Sequence, residues 1–198
     1  ELLASTADAT PAREKPQTAL INGRAKQTAT LKIVSLNVQG SLNDRASQQL
    51  FVEELAARHV DIACLQETHA RESTRADVGG YRLFLFPGVL VPGHEQHLCC
   101  RGVGFAVRAG LVADAAAVDT SSCVSRVALL IVRRQGMQPL RIAAAYAPLF
   151  KAPMAEIEAF YRLAAATRAH IVGGDWNVDG EAPGNRYPAR VKAEYSGL

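Results

Sequence analysis

A carboxylate and a carboxamide that follow a pair of glycines form the stretch of this sequence best suited to chemistry. Within residues 170–180, a short apolar segment leads through Gly173 and Gly174 to Asp175 and Asn177. The apolar segment predicts a buried strand. We expect the glycines to break it, so that both polar side chains leave the sheet edge on a tight turn. Because Asp can accept a proton while Asn can only orient a neighbour, the pair suits a site holding water and phosphate beside a metal ion.

Three further motifs place polar side chains after apolar stretches. The first two predicted strands end at Asn37 and Glu67, and a later one leads to Tyr146. Polar side chains at the ends of adjacent strands meet at one edge of a sheet, where α/β proteins usually have their sites, so we expect these residues to converge with Asp175 and Asn177. Each residue alone is also explained as a turn cap, a solvated charge or a core aromatic, but four motifs in this order favour a functional site. The three motifs are Ser35-Leu36-Asn37, Leu65-Gln66-Glu67-Thr68 and Ala145-Tyr146-Ala147-Pro148.

The residue types at these positions point to phosphoester hydrolysis. A hard cation such as Mg2+ prefers oxygen ligands and keeps several waters, so a single carboxylate such as Glu67 is enough to anchor it. Asp175 is suited to deprotonating or orienting an attacking water, with Asn177 and Asn37 fixing the geometry. The hydroxyl of Tyr146 can donate to a phosphate oxygen.

The elements that must position these residues are strands interleaved with two helices. We predict a helix over 45–58 with Leu50, Phe51 and Leu55 facing inward and a second helix over 153–168. The pattern of helices between antiparallel-looking strand pairs predicts an α/β domain with a mixed sheet. Predicted strands cover 31–36, 61–65, 81–86, 103–108, 126–132, 141–146 and the residues leading to Asp175, and Ile157, Phe160, Tyr161 and Ala164 form the inner face of the second helix.

Composition describes an ordinary globular protein with room for one core. The chain has 198 residues, of which 48% are hydrophobic and 21% charged, with a net charge of +3. No apolar run approaches the roughly 18–20 residues that a spanning helix needs, and we see no signal peptide. Four cysteines without framework spacing indicate thiols of a reducing compartment. Residues 1–29 predict a flexible arm, and residues 30–198 predict the folded domain.

Taken together, the four motifs resemble the endonuclease/exonuclease/phosphatase superfamily. Three of them are most similar to the apurinic-type endonuclease domains of non-LTR retrotransposons, namely Leu36-Asn37-Val38-Gln39-Gly40, Gln66-Glu67-Thr68-His69 and Tyr146-Ala147-Pro148. The resemblance implies a four-layer α/β sandwich with two mixed sheets face to face and helices outside. It also implies nicking of DNA with Mg2+ or Mn2+, a nuclear location and a reverse transcriptase domain in the full-length protein. The resemblance assigns the metal site to Asn37 and Glu67 and the phosphate contact to Tyr146. It assigns the activation and orientation of water to Asp175 and Asn177.

One departure from the family's pattern keeps two alternatives open. The family closes its site with a Ser-Asp-His motif, whereas this sequence has no such motif and no His after His170. We therefore expect a domain that is incomplete at its C-terminus. One alternative function is a non-catalytic module that binds DNA or another partner. The other is a phosphatase acting on a lipid or a small phosphoester.

Several other residues have competing interpretations. The run 94–100, with two His and two Cys, contains zinc-ligand types, but adjacent cysteines rarely both reach one tetrahedral ion, which favours a surface loop. We expect His69 to be a loop residue near the site and Trp176 to pack beneath it. Basic residues on a predicted hairpin either contact a phosphate backbone or form a solvated face. Basic residues after residue 180 either contact DNA or keep a loop soluble. These residues are Arg126, Arg133, Arg134 and Arg141, and then Arg186, Arg190 and Lys192.

Overall fold

Two mixed β-sheets stack face to face in this chain, and one helix covers the outer side of each. The computed structural model describes residues 30–90, 99–118, 126–133, 136–149 and 151–177, and those from Leu31 onward belong to one compact unit. The predicted four-layer α/β sandwich is confirmed. The predicted arm at 1–29 lies outside the described residues.

The first sheet has five strands in the order β1-β2-β7-β4-β3. Its first two strands are parallel, and Asn37 at the end of β1 pairs in register with Gln66 at the end of β2. The remaining pairs are antiparallel. The strands are β1 (Ile33–Asn37), β2 (Ile62–Gln66), β3 (Thr74–Val78), β4 (Tyr81–Leu85) and β7 (Val103–Arg108), and a separate two-stranded ribbon joins β5 (Val89–Leu90) to β6 (Cys99–Cys100).

The second sheet has four strands in the order β11-β10-β9-β8. Its β9 and β10 form the predicted antiparallel hairpin, while β10 and β11 are parallel with Tyr146 opposite Asp175. Each sheet thus contains one parallel pair, and the carboxyl ends of that pair carry candidate residues. The strands are β8 (Val112–Ala117), β9 (Val127–Arg133), β10 (Leu140–Tyr146) and β11 (Ile171–Asp175).

Alternating side chains of the strands divide between the layers. In β2, Ile62 and Cys64 point toward the second sheet, whereas Ala63 and Leu65 pack under the first helix. Phe105 of β7 is fully buried between the sheets. Burying a side chain of this size contributes roughly 1.5–3 kcal/mol, so the inter-sheet layer holds the two site-bearing edges in fixed relation.

Helix α1 (Arg45–Ala57) covers the first sheet and is capped by Asp44, whose carboxylate accepts the Ser47 N–H at 2.8 Å. The predicted inward face is wrong in one respect, because Leu50 is 68% exposed and the buried residues are Val52 and Leu55. At about 100° per residue, Leu50 lies roughly 140° around the helix from Leu55, whereas Val52 lies roughly 60° away. The helix therefore buries a narrower stripe than its apolar content suggests.

Helix α2 (Met154–Ala166) covers the second sheet with the face that its periodicity predicts. Its buried residues are Ile157, Phe160, Tyr161 and Ala164. Pro153 occupies the N-cap position, which suits a residue with fixed φ and no N–H. No helix in the described part of the chain is long and apolar enough to cross a membrane.

The glycines before Asp175 lie inside a strand and do not break it, contrary to the expectation. Gly173 and Gly174 pair with Ala144 and Ala145 of β10 in a continuous ladder. A Cβ at Gly173 would lie 2.8 Å from both Cβ and Sγ of Cys64, so the glycine lets the two sheets approach closely there. Strand β11 is also less buried than predicted, because it lies at the edge of the described sheet.

Three further strand features were not apparent from the pattern. Strand β3 and strand β8 were not predicted, because each alternates charged or small residues that lack an apolar signal. The ribbon of β5 and β6 was also missed. Strand β4, predicted to be half-buried, is buried at four of its five residues because it lies between β3 and β7 in the first sheet.

Candidate active site

The ends of four strands bring the five predicted site residues together. Asn37 ends β1, Glu67 directly follows β2, Tyr146 ends β10 and Asp175 ends β11, with Asn177 two residues later. Because the parallel pairs are in register, the residues of each pair end at the same edge. Stacking of the sheets then places both edges side by side, and hydrogen bonds cross between them.

Asn37 links the two carboxylates of the site. Its Nδ2 donates to Glu67 Oε1 and to Asp175 Oδ2, each at 3.1 Å. Its Oδ1 accepts the N–H of Gln39 at 3.1 Å, which fixes which end of the amide faces the carboxylates. One amide nitrogen with two hydrogens therefore holds two negative charges from different sheets in a defined arrangement.

Glu67 receives donors from both sheets on one oxygen and leaves the other more open. Its Oε1 accepts from Asn37 and, at 2.7 Å, from the Tyr146 hydroxyl. Its Oε2 lies 3.8 Å from Nε2 of His69, which places His69 beside the site as predicted. Charge-assisted bonds of this kind are about twice as strong as neutral ones, so the orientation of Glu67 is well defined.

Tyr146 is a hydrogen-bond donor that keeps its proton. Burial, together with the hydrogen bond and negative charge of Glu67, raises the pKa of Tyr146 to about 12. Its hydroxyl proton points to Glu67, whereas the sequence predicted donation to a phosphate oxygen. In this arrangement Tyr146 orients the carboxylate of Glu67.

Asp175 and Asn177 form a local turn anchored to β10. The N–H of Asn177 donates to Asp175 Oδ1 at 3.1 Å, and its side-chain Nδ2 donates to the carbonyl of Ala147 at 2.7 Å. The N–H of Ala147 in turn donates to the backbone carbonyl of Asp175 at 2.8 Å. Trp176 packs away from this turn, stacked on Tyr161 of α2, as predicted for a residue beneath the site.

Backbone strain is concentrated around this cluster. Five non-glycine residues at the site or in its loops have left-handed φ values between +45° and +72°. Such conformations cost energy and persist where the surroundings over-determine them, as they often do at functional sites. The five residues are Gln39, Glu67, His69, Arg101 and Asn177.

Arg126 supports the site from below, a role that the sequence did not reveal. It is 2% exposed, so neither predicted role, phosphate tracking or a solvated face, fits it. Its guanidinium donates to the Tyr146 carbonyl at 3.3 Å and to Glu156 Oε1 at 2.6 Å, and it lies under the Tyr146 ring. Arg141 is likewise structural, because it donates to the Thr167 carbonyl. The apolar run that begins at Val127, directly after Arg126, was the available signal, since a buried Arg requires a partner.

Gln66 is a second buried polar residue beside the site whose role is not evident from the sequence pattern. It is almost completely buried at the end of β2, and its Oε1 accepts from the Ser35 hydroxyl at 3.2 Å. Its Nε2 has no hydrogen-bond partner among the described residues. Polar side chains next to the site thus continue inward between the sheets.

Comparison with known proteins identifies the family of this chain. The sequence profile of the Endonuclease/Exonuclease/phosphatase family matches residues 34–194, which includes all five site residues. The chain belongs to this family. Membership supports phosphoester hydrolysis as the general chemistry of the domain. A search of curated proteins gave no significant match.

Two solved structures resemble this member of the Endonuclease/Exonuclease/phosphatase family. The endonuclease domain of TRAS1, a telomere-specific non-LTR retrotransposon, aligns with a TM-score of 0.52 at 16% identity, over 85% of this chain and 68% of that one. The AP endonuclease LMAP from Leishmania major aligns with a TM-score of 0.48 at 18% identity, over 69% of this chain and 47% of that one. The first likeness confirms the fold.

Divalent metals are general in the Endonuclease/Exonuclease/phosphatase family, and the donor set at this site fits one. Glu67 and Asp175 are two carboxylates side by side, and no described residue donates a hydrogen bond to the second oxygen of Glu67. Oxygen donors of this kind suit Mg2+, which needs only one or two carboxylates and keeps water as its other ligands. In the described ranges no group of three or more His, Cys, Asp and Glu side chains is placed to hold an ion. The predicted residues at 94–98, Arg134, Arg186, Arg190 and Lys192 lie outside the described residues.

Proposed function

We propose that this chain is a metal-dependent endonuclease that nicks one strand of DNA, with residues 30–198 as its catalytic domain. The observation that carries the proposal is the hydrogen-bonded cluster in which the amide of Asn37 joins the carboxylates of Glu67 and Asp175 across two sheets. A structural role alone does not require two half-buried carboxylates to be held so close together at strand ends. Two adjacent carboxylates suit a site in which one holds a cation and the other acts on water beside a phosphodiester.

Glu67 would hold the ion, with Asn37 completing the metal site. When bound, Mg2+, or Mn2+ in its place, polarises a phosphoryl oxygen and offsets charge on the leaving oxygen. Tyr146 keeps Glu67 Oε1 occupied and so turns Oε2 outward. In the free protein Asn37 is a positioning residue, because its Nδ2 donates to both carboxylates.

Asp175 would accept a proton from the attacking water or orient that water. Among the described residues, each of its oxygens accepts one hydrogen bond, from Asn37 and from the N–H of Asn177, which leaves one lone pair on each for water. Asn177 holds the turn through the Ala147 carbonyl and fixes the direction of the Asp175 carboxylate. A positioned base of this kind typically contributes 10²–10⁴-fold to a rate.

DNA is the proposed substrate for three reasons. The fold is like that of the TRAS1 retrotransposon endonuclease domain. The motifs around Glu67 and Tyr146 resemble those of retrotransposon endonucleases, and the net charge of +3 is compatible with a polyanion. On the same reasoning we propose a nuclear location and a reverse transcriptase domain in the full-length protein.

Relaxation of supercoiled plasmid by the 198-residue chain in Mg2+ tests this function. Asp175→Asn removes the charge while preserving the side-chain shape, and EDTA removes the ion. Asp77→Asn is the matched control, because Asp77 lies on the edge strand β3 and pairs with Arg82. We expect nicking by the wild-type and Asp77→Asn proteins, and loss of nicking with Asp175→Asn or EDTA.

Other outcomes would redirect the assignment. Folded protein that binds duplex DNA but never nicks it would favour the non-catalytic binding module. Release of inorganic phosphate from lipid or sugar phosphates, without nicking, would favour the phosphatase. Nicking that persists in Asp175→Asn at the wild-type rate would remove Asp175 from the mechanism.

A further inference from the structure

Arg101 lies in the turn that leads into β7 and is tied to the segment following Glu67. It has a left-handed φ of +72°, and its carbonyl accepts the N–H of His69 at 2.9 Å. The next carbonyl, that of Gly102, accepts the N–H of Thr68 at 3.2 Å. The backbone of Arg101 is therefore fixed beside the loop that presents Glu67, although its side chain is 40% exposed.

Among the described residues, the guanidinium of Arg101 donates no hydrogen bond and has one ion-pair partner, Glu156. Oε1 of Glu156 lies 3.8 Å from the Arg101 guanidinium, beyond hydrogen-bond distance. The same oxygen lies 2.6 Å from the buried guanidinium of Arg126. Since Arg126 is out of water, Glu156 is needed there, and the group of two arginines and one glutamate keeps a net positive charge.

We propose that Arg101 binds a backbone phosphate of the DNA strand, next to the one that is cut. This inference rests on the proposed endonuclease function and names one of its contacts. A guanidinium presents a planar fork of donors that matches phosphate oxygens, and its charge would displace a counterion from DNA. Glu156 holds the side chain near the site in the free protein without competing strongly for its hydrogen bonds.

Arg108 provides a matched control at the other end of the same strand. Its side chain is 38% exposed and its guanidinium lies 3.5 Å from a carboxylate oxygen of Asp61, much as Arg101 lies near Glu156. Strand β7 separates the two arginines by about 20 Å at roughly 3.3 Å per residue. The two residues thus share charge, exposure and a nearby acid, but only Arg101 adjoins the site.

The test is the salt dependence of duplex DNA binding by the full chain, measured by fluorescence anisotropy in EDTA so that no cleavage occurs. Each phosphate contact contributes about 0.9 to the slope of log affinity against log salt. We expect Arg101→Gln to lower the slope by about one contact. The advantage of wild type over this variant then shrinks about three- to fourfold between roughly 50 and 200 mM salt. Arg101→Lys, which keeps the charge, should keep the slope, and so should Arg108→Gln.

Each result either supports or overturns the inference. Equal slopes for Arg101→Gln and Arg108→Gln, with wild type binding and nicking DNA, would overturn the phosphate contact and leave the endonuclease intact. Wild-type protein that neither binds nor nicks DNA would overturn both. If Arg101→Gln does not fold, as judged by circular dichroism, the Arg101→Lys variant tests the contact instead. An unchanged salt slope together with slower nicking at low DNA concentration would support the phosphate contact. Nicking at the wild-type rate would overturn it.

Discussion

Replacing the amide of Asn37 by a carboxylate should destabilise the protein because it adds a third negative charge to the site. In the native protein the Asn37 Nδ2 lies 3.1 Å from an oxygen of Glu67 and from an oxygen of Asp175. Asn37→Asp keeps the shape of the side chain but replaces two attractive contacts by two repulsive ones. The substitution therefore tests whether these three side chains are held together.

The magnitude follows from the distances and the exposure. A pair of like charges about 4 Å apart costs about 1 kcal/mol at the dielectric of water and about 4 kcal/mol at an effective dielectric of 20. Because Asn37 is exposed, we take the lower end for each pair and add about 1 kcal/mol for the lost hydrogen bonds. The free energy of unfolding should fall by about 3 kcal/mol, which corresponds to a Tm roughly 6–12 °C lower for a chain of this size.

Thermal unfolding in EDTA and in Mg2+ measures this effect, with Gln49→Glu as the control. Gln49 Nε2 also donates to a carboxylate, that of Glu53 at 2.8 Å, but on the exposed face of α1. A like-charge pair at that spacing costs only about 0.2–0.5 kcal/mol. We also expect Mg2+ to raise the Tm of Asn37→Asp more than that of wild type, because a bound cation offsets the added charge.

A small loss of stability in Asn37→Asp would contradict the contacts described for Asn37. If Asn37→Asp and Gln49→Glu lose the same stability in EDTA, the two site carboxylates do not face Asn37. If Mg2+ stabilises neither wild type nor Asn37→Asp, these residues do not form the proposed metal site.

Three further predictions concern the surroundings of the site. Burial and Glu67 raise the pKa of Tyr146 to about 12, above its ordinary 10.0. The stability that its neutral hydroxyl provides is therefore full below pH 10 and lost as pH rises toward 12. Ultraviolet titration of the wild type against Tyr146→Phe measures the pKa of this hydroxyl. Gly173→Ala places a Cβ 2.8 Å from Cys64 and should cost about 1–3 kcal/mol in urea unfolding. Glu156→Gln removes the carboxylate that pairs with buried Arg126 and should also cost about 1–3 kcal/mol, measured in the same way.

Paired variants distinguish these predicted stability losses from nonspecific destabilisation. Cys64→Gly removes the two nearest of the three atoms that a Cβ at Gly173 would meet, so the double variant should lose less stability than the sum of the single changes. Glu158 forms an exposed pair with Arg162 at 2.9 Å, so Glu158→Gln should cost no more than about 0.5 kcal/mol. Additive losses in the first pair, or equal losses for Glu156→Gln and Glu158→Gln, would contradict the packing and charge arguments. A phenolate from Tyr146 below pH 10 would contradict the raised pKa of Tyr146.

Local pattern was sufficient to predict the five residues of the candidate site and the strands that carry four of them. Strand ends are readable because an apolar run that stops at a polar residue indicates where a strand leaves the core. The inner face of α2 was predictable for a similar reason, since Ile157, Phe160, Tyr161 and Ala164 recur at helical spacing. Helix α1 shows the limit of this reasoning: its apolar residues spread over more than one face, and only packing on the sheet decides that Leu50 is exposed.

Contacts between residues distant in the chain were decided by the tertiary structure. The hydrogen bond from Asn37 to Asp175 joins residues 138 positions apart and exists only because the two sheets stack with their edges side by side. The same stacking makes Gly173 a close-packing residue within a strand, and it buries Arg126 against Glu156. Sequence patterns report the local period and the polarity of each segment. The pairing of charges and the space at a glycine depend on which segments the fold brings into contact, and that is set by the packing of the whole chain.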